Sequence, residues 1–271
     1  MIVRFVAFAQ EILPRMLAFD QLNLKLGPFT LQAFGAIAAI AVAIGLVVVR
    51  RRAVDQQLEP MKARRLVSWV LVTGFFVAHL FALFTEHAAR EVLSEPLSVL
   101  RVWSNLSVMG GFLGAALGAW LYNRRHPLGA EAWRYLDVVA YAFVVAWGIV
   151  RIGCFLAFDH PGQESTFFLA QVYRDGLVRH NFGLYEAIYF VLLAPGIRAL
   201  GRPRRAPGFF VGLLAVLYAP FRFLLDFAGL AELEGRLVGL SPAQWGCLIL
   251  VIVGGVILRR AFARGVTMTL T

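Results

Sequence analysis

The sequence predicts an all-α integral membrane protein with seven transmembrane helices. Hydrophobic residues make up 60% of the 271 residues, and the mean hydropathy is +0.73. Soluble domains are about 45–50% apolar. The apolar residues also gather in stretches close to the roughly 20 residues that a helix needs to cross a bilayer. Lipid is therefore the expected solvent for most of this chain.

Seven apolar stretches are the candidate spans, and short connections carrying Pro, Gly, Arg and His separate them. The candidates are 29–49, 67–84, 105–122, 136–157, 182–198, 208–228 and 243–258. No long linker interrupts the series, so we expect one domain over 1–271. Polar residues and a proline break the apolar run in 1–27, which favours an interfacial segment on the outer side over a cleaved signal peptide. Residues 158–181 are expected to form a second, short outer segment.

The basic residues predict the orientation of these spans. Sixteen of the 26 Lys and Arg residues fall in the connections after spans one, three, five and seven, eight fall on the opposite side, and two lie inside spans. Loops rich in Lys and Arg stay in the cytoplasm, so the N-terminus is predicted outside and the C-terminus in the cytoplasm. Topology thus explains most of the net charge of +10, which argues against a nucleic-acid partner.

The two basic residues inside spans, Arg151 and Arg222, are the first candidates for function. A charged side chain at mid-membrane costs at least about 2.5–3.5 kcal/mol, so it usually faces a partner or a polar cavity. One interpretation is structural: either arginine pairs with Glu186 or Asp226, or extends to the headgroups. Two arginines in the same half of the membrane favour a shared anion site, because guanidinium groups suit phosphate oxygens. A phospholipid phosphate is the anion expected at that depth.

Two further segments carry candidate site residues. In SVMGGFLGAALGAW, the spacing of Gly114 and Gly118 predicts close helix packing, whereas Gly110 and Gly111 could also let the backbone approach a ligand. The segment RHNFGLYE carries polar residues at the start of the fifth span. These are Arg179, His180, Tyr185 and Glu186. Such a cluster is often an interface anchor, but a membrane carboxylate such as Glu186 is expected to have a partner.

Five segments, taken together, resemble the bacterial phosphatidylglycerol–prolipoprotein diacylglyceryl transferases over nearly the whole chain. They are LGPFTLQAFG, LRVWSNLSVMGGFLG, VRIGCFLAFDHPG, RHNFGLYE and LYAPFRFLLDF, in the order in which that family has its motifs. The resemblance implies a multi-pass protein of the bacterial inner membrane, with the outer segments and the N-terminus in the periplasm.

The resemblance also implies a reaction. The family transfers the diacylglyceryl group of phosphatidylglycerol to the thiol of a lipobox cysteine in a prolipoprotein signal peptide, and glycerol-phosphate leaves. Arg151 and Arg222 match the two essential arginines, which would stabilise the leaving phosphate. Further matched positions, implied to lie at the phospholipid site, are Gly153, Asp159, Gly162, Tyr185, Glu186, Tyr218 and Asp226. The resemblance implies no metal or redox cofactor.

The chain departs from the family pattern at several of these motifs. Met109 stands where the third-span motif has a histidine that is proposed to take the thiol proton, and methionine cannot take it. Cys154 stands in place of the signature asparagine, and Phe34 in place of a tyrosine of the first span. His79 lies near the usual position of a second-span arginine. The outer segment 163–178 is shorter than in typical members.

These departures leave three interpretations open. The chain could be a divergent transferase in which His180 or His160 takes the proton, a paralogue that modifies another acceptor from the same phospholipid site, or a phospholipid-binding protein without catalysis. Cys154 beside Arg151 could also be a nucleophile, since a nearby cation lowers a thiol pKa. A buried cysteine is more often a small packed residue, and we favour that interpretation.

Overall fold

A computed structural model describes residues 23–26, 29–83, 99, 106–159, 161–202, 204–229 and 238–269. Within this part of the chain the protein is mostly helical, and each of the seven predicted spans overlaps one helix. The helices are α1 Ala33–Asp55, α2 Pro60–Ala82, α3 Val108–Arg125, α4 Ala132–Ala157, α5 Phe182–Leu200, α6 Phe209–Leu225 and α7 Pro242–Thr269. The expected interfacial segment 1–27 lies outside the described residues except for 23–26.

Six of these helices are long and apolar enough to cross a membrane. They are Phe34–Asp55, Pro60–Ala82, Gly129–Ala157, Phe182–Leu200, Phe209–Ala228 and Pro242–Arg264. The prediction of a helical membrane protein is therefore confirmed. The remaining helix, α3, has 18 residues and carries two arginines, Arg124 and Arg125, in its last turn.

Two small antiparallel sheets add to the predicted helices. One is a hairpin of β1 Asn23–Leu26 and β2 Phe29–Gln32. The other has the strand order β3-β5-β4, with β3 at Pro161–Glu164, β4 at Gln171–Val172 and β5 at Val178–Asn181. The predicted span 29–49 included β2, and 158–181 was given no strands. Strands of two to four residues are too short to show an alternating pattern.

The chain divides into two compact units, one formed by 1–48 with 140–271 and the other by 49–139. In the second unit, α3 packs closely on α2, as the glycine spacing predicts. A Cβ at Gly114 would lie 2.8 Å from Gly74 Cα, and one at Gly118 would lie 2.7 Å from Trp69 O. The Thr73 hydroxyl donates a hydrogen bond to Gly114 O at 2.8 Å. The single domain expected over 1–271 stays a prediction.

In the first unit, a hydrophobic core joins α4, α5, α6 and α7. Its buried residues are Val144, Phe190, Ile197, Phe209, Phe210, Tyr218 and Ala261. Glycines also bring α6 and α7 together, because a Cβ at Gly212 would lie 2.7 Å from Leu258 N. This packing fixes Tyr218 and Phe190 beside the charged residues of α4 and α5.

Candidate functional site

Glu186, on the second turn of α5, joins the two membrane arginines. Its Oε2 lies 2.5 Å from Arg151 Nε. The two atoms form an ion pair, but the N–H of Nε does not point at the oxygen closely enough for a hydrogen bond. Glu186 Oε1 lies 3.9 Å from Arg222 Nε and accepts a hydrogen bond from the Tyr218 hydroxyl at 2.6 Å. One carboxylate therefore binds three side chains that come from α4 and α6.

The two arginines differ in accessibility. The side chain of Arg151 is 3% exposed, stacks on the Trp147 ring at 4.6 Å and donates a hydrogen bond to Cys154 Sγ at 3.6 Å. The side chain of Arg222 is 19% exposed and lies over the Phe182 ring at 5.9 Å. Arg222 can therefore be reached from outside the helix packing, whereas Arg151 is enclosed by it.

Asp226 holds Arg222 from the other side. It begins the 3₁₀ turn Asp226–Ala228 that follows α6, and its Oδ1 accepts a hydrogen bond from Arg222 Nη1 at 3.1 Å. Its Oδ2 accepts a short hydrogen bond from the Ser241 hydroxyl. The i, i+4 spacing of Arg222 and Asp226 places both on one face of the chain, as the sequence predicts.

Two buried residues at the start of α7 were not predicted from the sequence. Ser241 Oγ accepts a hydrogen bond from Gln244 N at 3.1 Å, and Gln244 Oε1 accepts one from Ser241 N at 2.9 Å. This reciprocal pair is a capping box, whose sequence signature is Ser-x-x-Gln. The segment SPAQ at 241–244 carries that signature, so the sequence held a signal for these residues.

The electrostatic balance of the cluster is close to neutral. Two guanidinium groups face two carboxylates. The structure therefore contains the ion pairs with Glu186 and Asp226 that the sequence offered as the structural explanation of the arginines. Arg222 pairs with Asp226 at 3.1 Å, and Glu186, which pairs with Arg151, also lies 3.9 Å from Arg222. A cluster held this way places the two cations in one fixed group. The anion site itself stays a prediction.

His180 lies at the end of β5, just before α5 begins. Its Nδ1 is 2.8 Å from the Tyr185 hydroxyl, and the Phe167 ring stands 6.0 Å from the imidazole. Asn181 follows and caps α5, accepting a hydrogen bond from Leu184 N at 3.1 Å. Burial lowers the pKa of His180 from its ordinary 6.5, so the neutral imidazole predominates at pH 7.

Gly162 on β3 is packed beside this histidine. A Cβ there would lie 2.7 Å from His180 Cβ and 2.9 Å from the Phe182 ring, the same ring that lies under Arg222. The sheet therefore brings His180 to the side of the charged cluster that carries Arg222. Asp159, which follows α4, is exposed, and His160 lies outside the described residues.

Gly153 and Cys154 belong to the buried face of α4. A Cβ at Gly153 would lie 3.3 Å from the Phe34 ring of α1, so the residue in place of the family tyrosine packs directly on this signature. Cys154 is buried and contacts the Arg151 guanidinium. A thiol in this position packs and accepts a hydrogen bond, as expected for a small packed residue, and whether it is also a nucleophile stays a prediction.

The other predicted site residues belong to the second unit. Met109 is half-buried on the first turn of α3. Gly110 is a packing residue, since a Cβ there would lie 2.8 Å from Val77 O, whereas a Cβ at Gly111 would meet only Ala78 at 3.8 Å. His79 is buried on α2 with its Nε2 2.9 Å from Val99 O.

Comparison with known proteins decides the family. The profile described as "Prolipoprotein diacylglyceryl transferase" matches residues 21–260, which includes every described residue of the charged cluster. The chain belongs to the prolipoprotein diacylglyceryl transferase family. It is therefore a member of a family of membrane transferases of lipoprotein biogenesis, and its helices fit a multi-pass membrane protein.

Curated relatives of the chain carry the name phosphatidylglycerol–prolipoprotein diacylglyceryl transferase. The protein of Azoarcus sp. strain BH72 is 28% identical over 257 residues, which cover 90% of this chain and 95% of that protein. The protein of Chromohalobacter salexigens is 31% identical over 220 residues, covering 77% and 78%. That of Nitratidesulfovibrio vulgaris strain Miyazaki F is 30% identical over 222 residues, covering 78% and 82%. The likeness thus extends over most of each prolipoprotein diacylglyceryl transferase.

Proposed function

We propose that this chain transfers the diacylglyceryl group of phosphatidylglycerol to the thiol of a lipobox cysteine in a prolipoprotein and releases glycerol-phosphate. Family membership and the names of the relatives support the reaction. The observation that carries the proposal is the pair of arginines on one carboxylate, with Arg222 accessible and Arg151 enclosed. A phosphate-leaving reaction needs such fixed positive charge.

The bond changes define what the site must do. The cysteine sulfur forms a bond to the carbon of the diacylglyceryl group that carries the phosphate ester. The bond from that carbon to the phosphate oxygen breaks, and its electron pair leaves with glycerol-phosphate. The thiol proton goes to a base or to solvent. The site must therefore stabilise growing negative charge on phosphate and accept one proton.

Arg222 is the group that we assign to the lipid phosphate. Its guanidinium is partly exposed, and its carboxylate contacts at 3.1 and 3.9 Å are longer than the 2.5 Å contact of Arg151. A phosphate oxygen at Arg222 would compete first with the more distant Glu186. Arg151 would then keep Glu186 in place and add positive charge behind it. Preformed charge in a water-poor site costs no reorganisation when the phosphate leaves.

The remaining candidate residues would support this phospholipid site in different ways. Tyr218, Glu186 and Asp226 hold the arginines. Gly153 allows the close approach of Phe34, and Gly162 that of Phe182; Cys154 accepts a hydrogen bond from Arg151. Met109, Gly110, Gly111 and Asp159 stay phospholipid-site candidates on the sequence alone.

His180 is the proposed proton acceptor in place of the missing motif histidine. Its imidazole is half-buried and is held at Nδ1 by Tyr185, and its lowered pKa keeps it neutral at pH 7. Proton transfer by a positioned group gives about 10²–10⁴-fold in rate. His160 remains a second candidate. Without a base, the reaction would depend on the small fraction of thiolate present at neutral pH, because a free thiol has a pKa of about 8.5.

The proposed topology has seven spans in the bacterial inner membrane, as one domain, with the N-terminus in the periplasm and the C-terminus in the cytoplasm. The seventh span is α3, whose 18 residues extend about 27 Å at 1.5 Å per residue, close to the roughly 30 Å hydrocarbon core. Its arginines stand in the last turn, at the end where Lys and Arg would face the cytoplasm.

Met109 also favours a second candidate function. The chain keeps the arginine cluster that would bind a phospholipid, but it has methionine at the position of the motif histidine, and methionine cannot accept a proton. It would then modify a different acceptor, or bind anionic phospholipid without transfer.

The experiment presents purified protein in phosphatidylglycerol micelles with a lipobox peptide. We expect diacylglyceryl-peptide and glycerol-phosphate in equal amounts, and no product from Arg222→Ala. Arg260→Ala, an exposed arginine of α7, is the matched control and should keep full activity. Retained phosphatidylglycerol with no product would exclude the transferase and support the binding protein. Lipid on another nucleophile would support the alternative acceptor.

A further inference from the structure

We propose that Ser241 is a positioning residue for Arg222, acting through Asp226. The inference rests on the proposed function, in which Arg222 binds the lipid phosphate. Ser241 immediately precedes α7, Arg222 lies in the last turn of α6, and Asp226 directly follows that helix. The proposal therefore assigns a role to the start of α7, which the family motifs in the sequence did not include.

A continuous set of contacts connects Ser241 to the guanidinium. The Ser241 hydroxyl donates to Asp226 Oδ2, and Asp226 Oδ1 accepts from Arg222 Nη1 at 3.1 Å. The side chain of Asp226 is 7% exposed, and Ser241 is buried as well. Both carboxylate oxygens thus have a defined partner, which fixes the rotation of the carboxylate and with it the direction of the guanidinium.

Gln244 in turn fixes Ser241. Its backbone N–H donates to Ser241 Oγ at 3.1 Å, and its side-chain oxygen accepts from Ser241 N at 2.9 Å. The side-chain nitrogen of Gln244 donates to Phe223 O at 3.4 Å, one residue after Arg222. The start of α7 is therefore bound to the last turn of α6 next to the residue that it positions.

The hydroxyl of Ser241 has two separable roles. As an acceptor it caps α7, and as a donor it binds Asp226. A cap needs only the acceptor role, so the donor bond to a buried carboxylate exceeds what helix capping requires. A donor on Asp226 also disperses the negative charge of that carboxylate. More of the positive charge of Arg222 is then left for a phosphate.

Substitutions at one position can separate these roles. Ser241→Gly removes the hydroxyl and so both of its roles, yet glycine serves at an N-cap almost as well as serine, so the main loss is the donor bond to Asp226. Ser241→Thr keeps the hydroxyl and should therefore keep most of the activity that Ser241→Gly loses. Ser68→Ala serves as the matched control, because it removes an exposed serine hydroxyl that donates to Arg64 O of its own helix.

The test measures kcat and KM for phosphatidylglycerol together with the thermal midpoint of each variant. We expect Ser241→Gly to lose about ten- to a hundredfold in kcat/KM, the range of a lost hydrogen bond to a charged group, and its thermal midpoint to fall as well, because the bond is buried. In an Asp226→Asn background the same substitution should add less than about twofold, because the two residues act as one unit. Unchanged kcat/KM in Ser241→Gly, or a full additional loss in the Asp226→Asn background, would overturn the proposal.

A second measurement keeps the inference separate from the transfer reaction. Phosphatidylglycerol retention from mixed micelles can be followed by native mass spectrometry. Should the unmodified protein form no diacylglyceryl-peptide, the proposed function fails, but Ser241→Gly must still need about tenfold more phosphatidylglycerol for half-saturation. Equal retention by Ser241→Gly and the unmodified protein would overturn the role of Ser241.

Discussion

The Tyr218 hydroxyl donates a hydrogen bond of 2.6 Å to Glu186, the carboxylate that both membrane arginines contact. Tyr218→Phe should therefore lower the transfer rate by about tenfold, since a hydrogen bond to a charged group is worth about 1.5–3 kcal/mol. The phenyl ring keeps its place against Phe190, so folding should be largely preserved. The measurement is the initial rate of diacylglyceryl-peptide formation.

Tyr189→Phe is the matched control for that substitution. Tyr189 lies one turn from Glu186 on α5, and its hydroxyl donates to the neutral Leu217 O at 2.7 Å. Its loss should leave the rate within about twofold of the unmodified protein. Equal losses in both tyrosine variants would mean that helix packing, and not the charge on Glu186, explains the effect.

Glu186→Gln should destabilise the protein strongly. It leaves the enclosed Arg151 without its carboxylate, and breaking a buried ion pair by removing one partner costs about 3–5 kcal/mol. We expect a clear fall in the thermal midpoint in detergent and in the yield of folded protein. Glu59→Gln is the control, because the Glu59–Lys62 pair is 52% exposed on both sides and exposed pairs contribute about 0–1 kcal/mol. A midpoint unchanged by Glu186→Gln would show that Glu186 does not balance Arg151.

The sequence predicted the helices and the two arginines for the same physical reason. A long apolar stretch is rare in a soluble protein, and a charged residue within such a stretch is rare in a membrane protein. Both can therefore be recognised in a single sequence without knowledge of tertiary contacts. Asp226 was also within reach, because it lies one helical turn from Arg222. Trp147 lies at the same spacing before Arg151 and could have been found in this way.

The sequence offered Glu186 as a partner for either arginine, but it could not show that one carboxylate contacts both. Glu186 lies 35 positions from Arg151 and 36 from Arg222, and only the packing of α4, α5 and α6 brings the three together. The pairing of Ser241 with Asp226 depends likewise on how α7 meets α6. The strands of 161–181 escaped prediction because hydrogen bonds between short segments, rather than side-chain periodicity, define them.

The pH dependence of transfer should identify the base. If His180 takes the thiol proton, the rate should be nearly constant above pH 6.5 and should fall as the pH drops through the lowered pKa of His180, because the protonated imidazole cannot accept. Transfer without a base would instead rise about tenfold per pH unit up to the thiol pKa of about 8.5. The measurement is kcat/KM for the lipobox peptide from pH 5 to 9.

His180→Gln should convert the first profile into the second. The amide keeps a polar group near Tyr185 but takes no proton. A profile that His180→Gln leaves unchanged would exclude His180 as the base, and His160→Gln would then be tested in the same way. Tyr173→Phe is a suitable control, because its hydroxyl bonds only weakly to the His180 backbone oxygen, at 3.4 Å.

Met109→His tests whether the departure at the third-span motif limits the reaction. Met109 has a thioether where the family motif has an imidazole, so histidine at this position would restore a base. A positioned base raises a reaction rate by about 10²–10⁴-fold. Met109 is half-buried on the first turn of α3. We expect the transfer rate to rise by at least about tenfold at pH 7. Met109→Gln, which is polar but takes no proton, should give no increase. A Met109→His rate no higher than that of Met109→Gln would mean that the base is already supplied elsewhere, and the pH profile of His180→Gln would then carry the assignment.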